Sequence, residues 1–240
     1  MAGGMLRTLY GSADDSTLSR GQGAAGHERL VLNAGITYQD VNERRVGGGD
    51  ELPFTAFTGR AADAKVRALV TAGNELTLSL QYSERPRTPR YDELTPDYGQ
   101  GDPSSAVYWF EPQRRDFVQL RWRGSDPTRA WHSAEAQVGQ QVIEDGRRSR
   151  DFGSRNEDES LGLTFVAQKD LGAKHHLSYG MDVYRDDVAS SRLPYRESFA
   201  ATTVSDDGIT GNLGDRRYRE FGSGLDAAGR GVMFTLEFGL

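Results

Sequence analysis

From Glu75 to Ser83 every second residue is apolar: Leu76, Leu78, Leu80 and Tyr82 fall on one side of an extended chain, Thr77, Ser79, Gln81 and Ser83 on the other. The same two-residue period returns at Leu30–Tyr38, Ala62–Val70, Val118–Trp122, Leu161–Ala167, Leu177–Val183 and Val232–Phe238. Alternation of this kind defines strands with one apolar face. The opposite positions hold Lys65, Arg67, Arg121, Gln137, Glu237 and many Gly, Ser and Thr. Such a set suits water. Strands that are dry on one side and wet on the other, repeated along a whole chain, mark a transmembrane β-barrel with lipid outside and water inside.

Composition agrees. Of 240 residues 36% are hydrophobic and the mean hydropathy is -0.64, too polar for a large enclosed core but suited to a thin external apolar band. The net charge of -6 argues against nucleic acid, where a basic stripe supplies most of the affinity. The absence of cysteine removes disulfides, thiolate nucleophiles and thiolate metal sites. No run of 18 apolar residues is present, so no helix is expected to span a bilayer. The first residues lack the basic and apolar regions of an export signal, and an exported protein is therefore expected to have further sequence upstream.

Turn-forming clusters of Gly, Pro, Asn and Asp divide residues 1–240, a single β-barrel domain or fragment, into about eleven strands. They are expected near 3–12, 15–22, 27–42, 59–71, 75–86, 113–124, 130–145, 157–169, 174–189, 216–225 and 229–240. Tight turns near Gly26, Gly73, Asp126, Leu171 and Ala227 alternate with long polar segments at 43–58, 87–112, 146–156 and 190–215. Short periplasmic turns and long extracellular loops are the asymmetry of outer-membrane barrels. The expected fold is all-β, an antiparallel up-and-down transmembrane barrel of about 10–12 strands, partial or small. Eleven strands would leave the chain ends on opposite sides of the membrane and the sheet edges unpaired, so missing strands or a partner must close it.

Local sequences resemble the TonB-dependent outer-membrane receptors, whose barrels of about 22 strands surround a plug domain. The matching segments are Gly3–Asp14, Ile36–Val41 with Gly47–Asp50, Thr88-Pro-Arg-Tyr-Asp-Glu-Leu94, Phe110–Asp116 and Leu177–Arg185. The stretch from Thr88 is most similar to the branch that takes up haem, siderophores and related iron sources. The resemblance implies an outer-membrane location, an iron-complex ligand, and coupling to the TonB machinery through a plug absent from this sequence. It also implies a half-barrel unable to transport alone.

The loop 87–112 carries Arg87, Arg90, Tyr91, Asp92, Tyr98, Tyr108 and Trp109, a mixture suited to gripping an amphipathic ligand at a barrel mouth. Tyr108 and Trp109 fit an aromatic girdle equally well; Trp122 and Trp131 fit the girdle at the other end. Asp63, Lys65, Arg67, Arg121, Arg123, Glu135 and Gln137 are expected to line the lumen and, under the resemblance, to pack against a plug. His27, His132, His175 and His176 all sit beside periplasmic turns, as neutral or interfacial side chains. The glycines of Gly21-Gln-Gly23-Ala-Ala-Gly26 match a dinucleotide pattern but have no buried parallel strand before them and no helix after, so a turn is expected there. The acidic runs Asp97–Asp102, Glu157–Glu159 and Asp206–Asp207 lack the spacing of a calcium loop and read as solvated loop charge. No metal site, cofactor or catalytic constellation is expected. Two other readings stay open: a passive pore or surface-binding barrel closed by an extra strand or oligomerisation, and a soluble β-rich domain whose apolar stripes pack on one another.

Overall fold

A computed structural model describes residues 2–90, 109–126, 130–148, 152–172, 175–194 and 230–239, with backbone alone at 152, 192–194 and 230–239. Ten long strands follow one another as neighbours. They are β1 (Ala2–Gly11), β2 (Ser16–His27), β3 (Leu30–Val41), β6 (Phe57–Thr71), β7 (Asn74–Arg85), β9 (Trp109–Ser125), β10 (Ser133–Arg148), β11 (Phe152–Asp170), β12 (His176–Pro194) and β13 (Arg230–Gly239). Three two-residue pieces complete the set: β4 (Arg44–Arg45) pairs β5 (Glu51–Leu52), and β8 (Thr88–Pro89) pairs β9. Every long pair is antiparallel, an up-and-down meander in one layer.

The register lines up the apolar positions across the sheet. One row runs Ala25, Leu32, Val66, Leu78, Leu120, Val138, Leu163, Val183 and Val232, each directly opposite the next. Directly opposite residues share a face, so nine strands place an aliphatic residue on the same side. A soluble sandwich would cover this row with a second sheet about 10 Å away. Instead Leu32, Leu120 and Leu163 are 44%, 44% and 41% exposed, and among the described residues only Val41, Ala134 and Ala167 are buried apolar side chains. Packing of the apolar stripes on one another is thereby ruled out.

The band also slants. Moving outward along the apolar face, the first charged residue is Asp40 on β3, Arg60 on β6, Glu84 on β7 and Arg185 on β12. The row through Arg185 runs back through Leu161, Gln140, Val118, Leu80 and Ala64 to Ala34, so the boundary at Asp40 stands 40 − 34 = 6 residues higher after six strand-to-strand steps. One residue per strand, at about 3.3 Å per residue and about 4.8 Å between strands, is a tilt of about 35°. That inclination is the one that barrel closure requires.

Several boundaries differ from the sequence reading. β2 runs straight through Gly21–Gly26, and the tight turn falls at Glu28 and Arg29. A Cβ on Gly26 would lie 2.4 Å from the Leu30 carbonyl oxygen, so this glycine serves close strand approach rather than a turn. The segment 146–156 is mostly strand: Gly146, Arg147 and Arg148 pair with Arg155, Ser154 and Gly153. Polar residues continue the ladder there beyond the apolar band, which hid it from a hydrophobic pattern. The expected strand 216–225 lies outside the described residues. Among the described residues β13 pairs directly with β12, so the path has ten long strands and both its ends reach the short-turn edge. Among the described residues no pairing joins β1 to β13.

Candidate ligand site at the outer end of the sheet

At the long-loop end β8 zips onto the start of β9, with Thr88 opposite Phe110 and Pro89 opposite Trp109. This short pairing brings the flanking arginines onto aromatic rings. Arg87 Cζ lies 3.7 Å from the Trp109 ring centre, and Arg90 lies 5.7 Å from that of Phe110. Arg147, from β10, approaches Phe110 from a second strand at 5.4 Å. The Arg87 guanidinium also stands 3.9 Å from the Glu111 carboxylate. Thr88 Oγ1, Trp109 Nε1 and Glu111 Oε2 are buried without a hydrogen-bond partner. Buried polar atoms are normally paired, so three of them in one cluster leave donor and acceptor capacity unspent.

Of the seven expected loop residues, the structure unites Arg87, Arg90 and Trp109. Tyr91, Asp92, Tyr98 and Tyr108 lie outside the described residues. Trp109 stands seven residues beyond Asp116, the first charged residue on the apolar face of its strand, about 23 Å along the chain, well past the rows where a girdle belongs. Phe110, Glu111 and Arg147 were missed by sequence reasoning. Arg147 reaches the cluster only through the register of β9 with β10, which no local pattern signals.

Asp63, Lys65, Arg67, Arg121, Arg123, Glu135 and Gln137 share the polar face, at alternate positions of paired strands. Arg20 bridges to Asp63 at 2.7 Å, Arg123 to Glu135 at 2.6 Å and Arg67 to Glu75 at 3.8 Å, while Gln119 donates to Gln137 at 3.2 Å.

On the apolar face near the short turns, Trp122, Trp131, Phe165 and Tyr179 form a chain of rings with centroids 6.3, 6.4 and 6.4 Å apart. Trp122 Nε1–H donates to Asn74 and the Tyr179 hydroxyl to the Ala130 carbonyl. Aromatic rings with one wet end are what a membrane interface collects.

At the rim beyond this belt, Asp170 stands between two histidines, 2.6 Å from His176 Nδ1 and 2.9 Å from His132 Nδ1. Hydrogen bonding to His176, then His132, holds its carboxyl below the usual carboxylate range. A carboxylate held down contributes stability that is complete above its unfolded pKa and lost as pH falls through its lower folded value. Asp170→Asn is therefore expected to lower the melting temperature at pH 7, with the difference shrinking below about pH 4. Tryptophan fluorescence of the detergent-solubilised protein measures this; a difference unchanged down to about pH 2 would contradict it. The run Glu157–Glu159 is not a loop but part of β11, where alternation sends Asp158 to the opposite face from its neighbours.

No protein-family model and no curated protein matches the chain. Among solved structures, the sheet is similar to the copper transporter OprC, at 16% identity over 80% of this chain and 28% of that one, with a TM-score of 0.61. It is also similar to the FrpB iron transporter from Neisseria meningitidis: the F5-1 variant at 17% identity over 80% and 31%, TM-score 0.57, and its apoprotein form at 14% over 99% and 35%, TM-score 0.56. The fold is that of an outer-membrane barrel wall. The chain spans no more than 35% of the length of these structures. The wall's outer end carries the Arg87–Trp109 cluster, and its short-turn end the aromatic chain and the Asp170 clasp.

Proposed function

We propose that this chain forms part of the barrel of a bacterial outer-membrane receptor that imports a metal complex, most simply an iron complex of the siderophore or haem type. A single-layer sheet whose aliphatic row stays uncovered, with Leu32, Leu120, Val138 and Leu163 exposed, carries the membrane part of this reading. Support for metal import comes from the likeness to a copper and an iron transporter, and the Thr88–Leu94 stretch supports the iron-complex branch. The wall's role is binding and passage, not catalysis. Coupling to the TonB complex, through a plug encoded outside this sequence, completes the reading.

The Arg87–Trp109 cluster is the wall's own contribution to ligand capture. Stacked guanidinium and indole offer a flat surface with forked N–H donors, the chemistry for planar anionic groups such as catecholate or carboxylate. Trp109→Ala is expected to weaken binding of ferric complexes to intact cells by roughly tenfold, since a stacked ring contributes about 1–2 kcal/mol. The assay is binding of radiolabelled iron complexes by metal-starved cells, with and without a protonophore. Uptake that collapses with the protonophore supports the reading. Ion conductance in planar bilayers without any energy source, and no accumulation, would favour a passive pore instead.

A further inference from the structure

On β9, Trp109 and Glu111 are two residues apart and so lie on one face of the strand. Arg87 joins them there: its guanidinium covers the Trp109 ring at 3.7 Å, and its Nε stands 3.9 Å from Glu111 Oε2, beyond hydrogen-bond reach. Trp109 Nε1 and Glu111 Oε2 are both buried, and neither has a hydrogen-bond partner among the described residues. The first can only donate and the second accepts. The next carboxylate across the register, Asp145 opposite Gln113, is already engaged by Arg147 at 3.4 Å.

These side chains set a pair of opposite charges, Arg87 and Glu111, beside one uncharged N–H. The complement of such a set offers acceptor oxygens to the guanidinium and the indole, and a proton donor, best a cation, to the carboxylate. A tris-catecholate fails this requirement. Its phenolic protons are lost when the oxygens bind iron, so it would set acceptors against Glu111 and leave a buried polar atom without a partner. A complex with a free ammonium meets it. The Glu111 side chain is 37% exposed, and rotation of its carboxylate about the broad, two-fold χ3 turns Oε2 toward an incoming donor. Its backbone stays in place, because β10 approaches so closely at Gly146 that an added Cβ would collide with the Glu111 carbonyl.

Taking the Arg87–Trp109 cluster to be the ligand site, as read above, we propose that Glu111 selects among iron complexes. The site takes those whose chelate carries a pendant protonated amine beside its acceptor oxygens, and rejects those that offer acceptors alone. Arg87 and Trp109 contribute affinity for any flat or anionic group; Glu111 decides between them.

The test is equilibrium binding of radiolabelled iron complexes to outer-membrane vesicles from cells making the full-length protein. The probes are ferrioxamine B, a trihydroxamate with a free terminal ammonium, the same chelate acetylated at that amine, and a ferric tris-catecholate. On the unaltered protein ferrioxamine B is expected to bind roughly tenfold or more tightly than its acetylated form, with the tris-catecholate weakest. Glu111→Gln should remove the preference, so that the first two bind alike; the comparison of probes on unaltered protein depends on no variant folding. Equal binding of the amine and acetylated probes, a preference that survives Glu111→Gln, or tightest binding of the tris-catecholate overturns the inference. Ligand capture by the cluster then still stands if Trp109→Ala weakens the complexes that bind. If no ferric complex binds, or Trp109→Ala changes none, the reading of the site itself fails and the selection falls with it.

Discussion

Leu78→Arg is expected to abolish stable insertion of the sheet in the outer membrane, while arginine at the adjacent Ser79 leaves most of the protein folded. Leu78 sits in the middle of the aliphatic row, between Val66 and Leu120. An arginine at the bilayer midplane costs about 2–4 kcal/mol, a large share of the stability of a barrel domain. Ser79 points to the wet face, directly opposite Lys65. An arginine there meets a like charge, which costs at most about 1 kcal/mol and is screened by water and salt. The measurement is the protein recovered in the membrane fraction and its migration on unheated gels. Equal loss at the two positions would remove the lipid-facing assignment of the row.

The second large effect concerns β2, where two glycines five residues apart are expected to respond with opposite signs. A Cβ at Gly26 would meet the Leu30 carbonyl oxygen at 2.4 Å and Val31 Cα at 2.8 Å, both backbone atoms that cannot swing away. Gly26→Val is therefore expected to destabilise by about 1–3 kcal/mol, as overpacking does, by forcing β2 and β3 apart. At Gly21 no atom lies within 4 Å of the added carbon. Gly21→Val, on the apolar face opposite Ile36, is expected to stabilise by about 0.5–1 kcal/mol through reduced chain entropy and added apolar surface. Urea unfolding in detergent micelles reads both; a shift of the same sign at both sites contradicts the register of β2 with β3.

β7 was readable from its residues alone, because Leu76 to Ser83 alternates cleanly and Asn74 and Gly73 mark its start. β3 and β12 were readable for the same reason. β2 was cut short because Gly21, Gly23 and Gly26 look like a turn, and only the close approach of Leu30 shows why glycine is needed inside a strand. The outer ends of β10 and β11 escaped notice since a ladder of Arg147, Arg148, Gly153 and Ser154 has no apolar face to announce it. The ligand cluster was half visible. Arg87, Arg90 and Trp109 carry the right chemistry in one segment, whereas Arg147 joins them by pairing with Phe110, 37 residues away along the chain (147 − 110).

Residues 1–240 contain no cysteine, so with any cysteine outside them replaced, single cysteines can carry spin labels at each position of β7 from Leu76 to Gln81. Collision rates with oxygen, which concentrates in hydrocarbon, and with a water-soluble nickel chelate then report the surroundings of each side chain in membranes. The account predicts high oxygen and low nickel accessibility at 76, 78 and 80, and the reverse or a shielded response at 77, 79 and 81. Nickel accessibility at Leu76, Leu78 and Leu80, or no two-residue period along the strand, would contradict it.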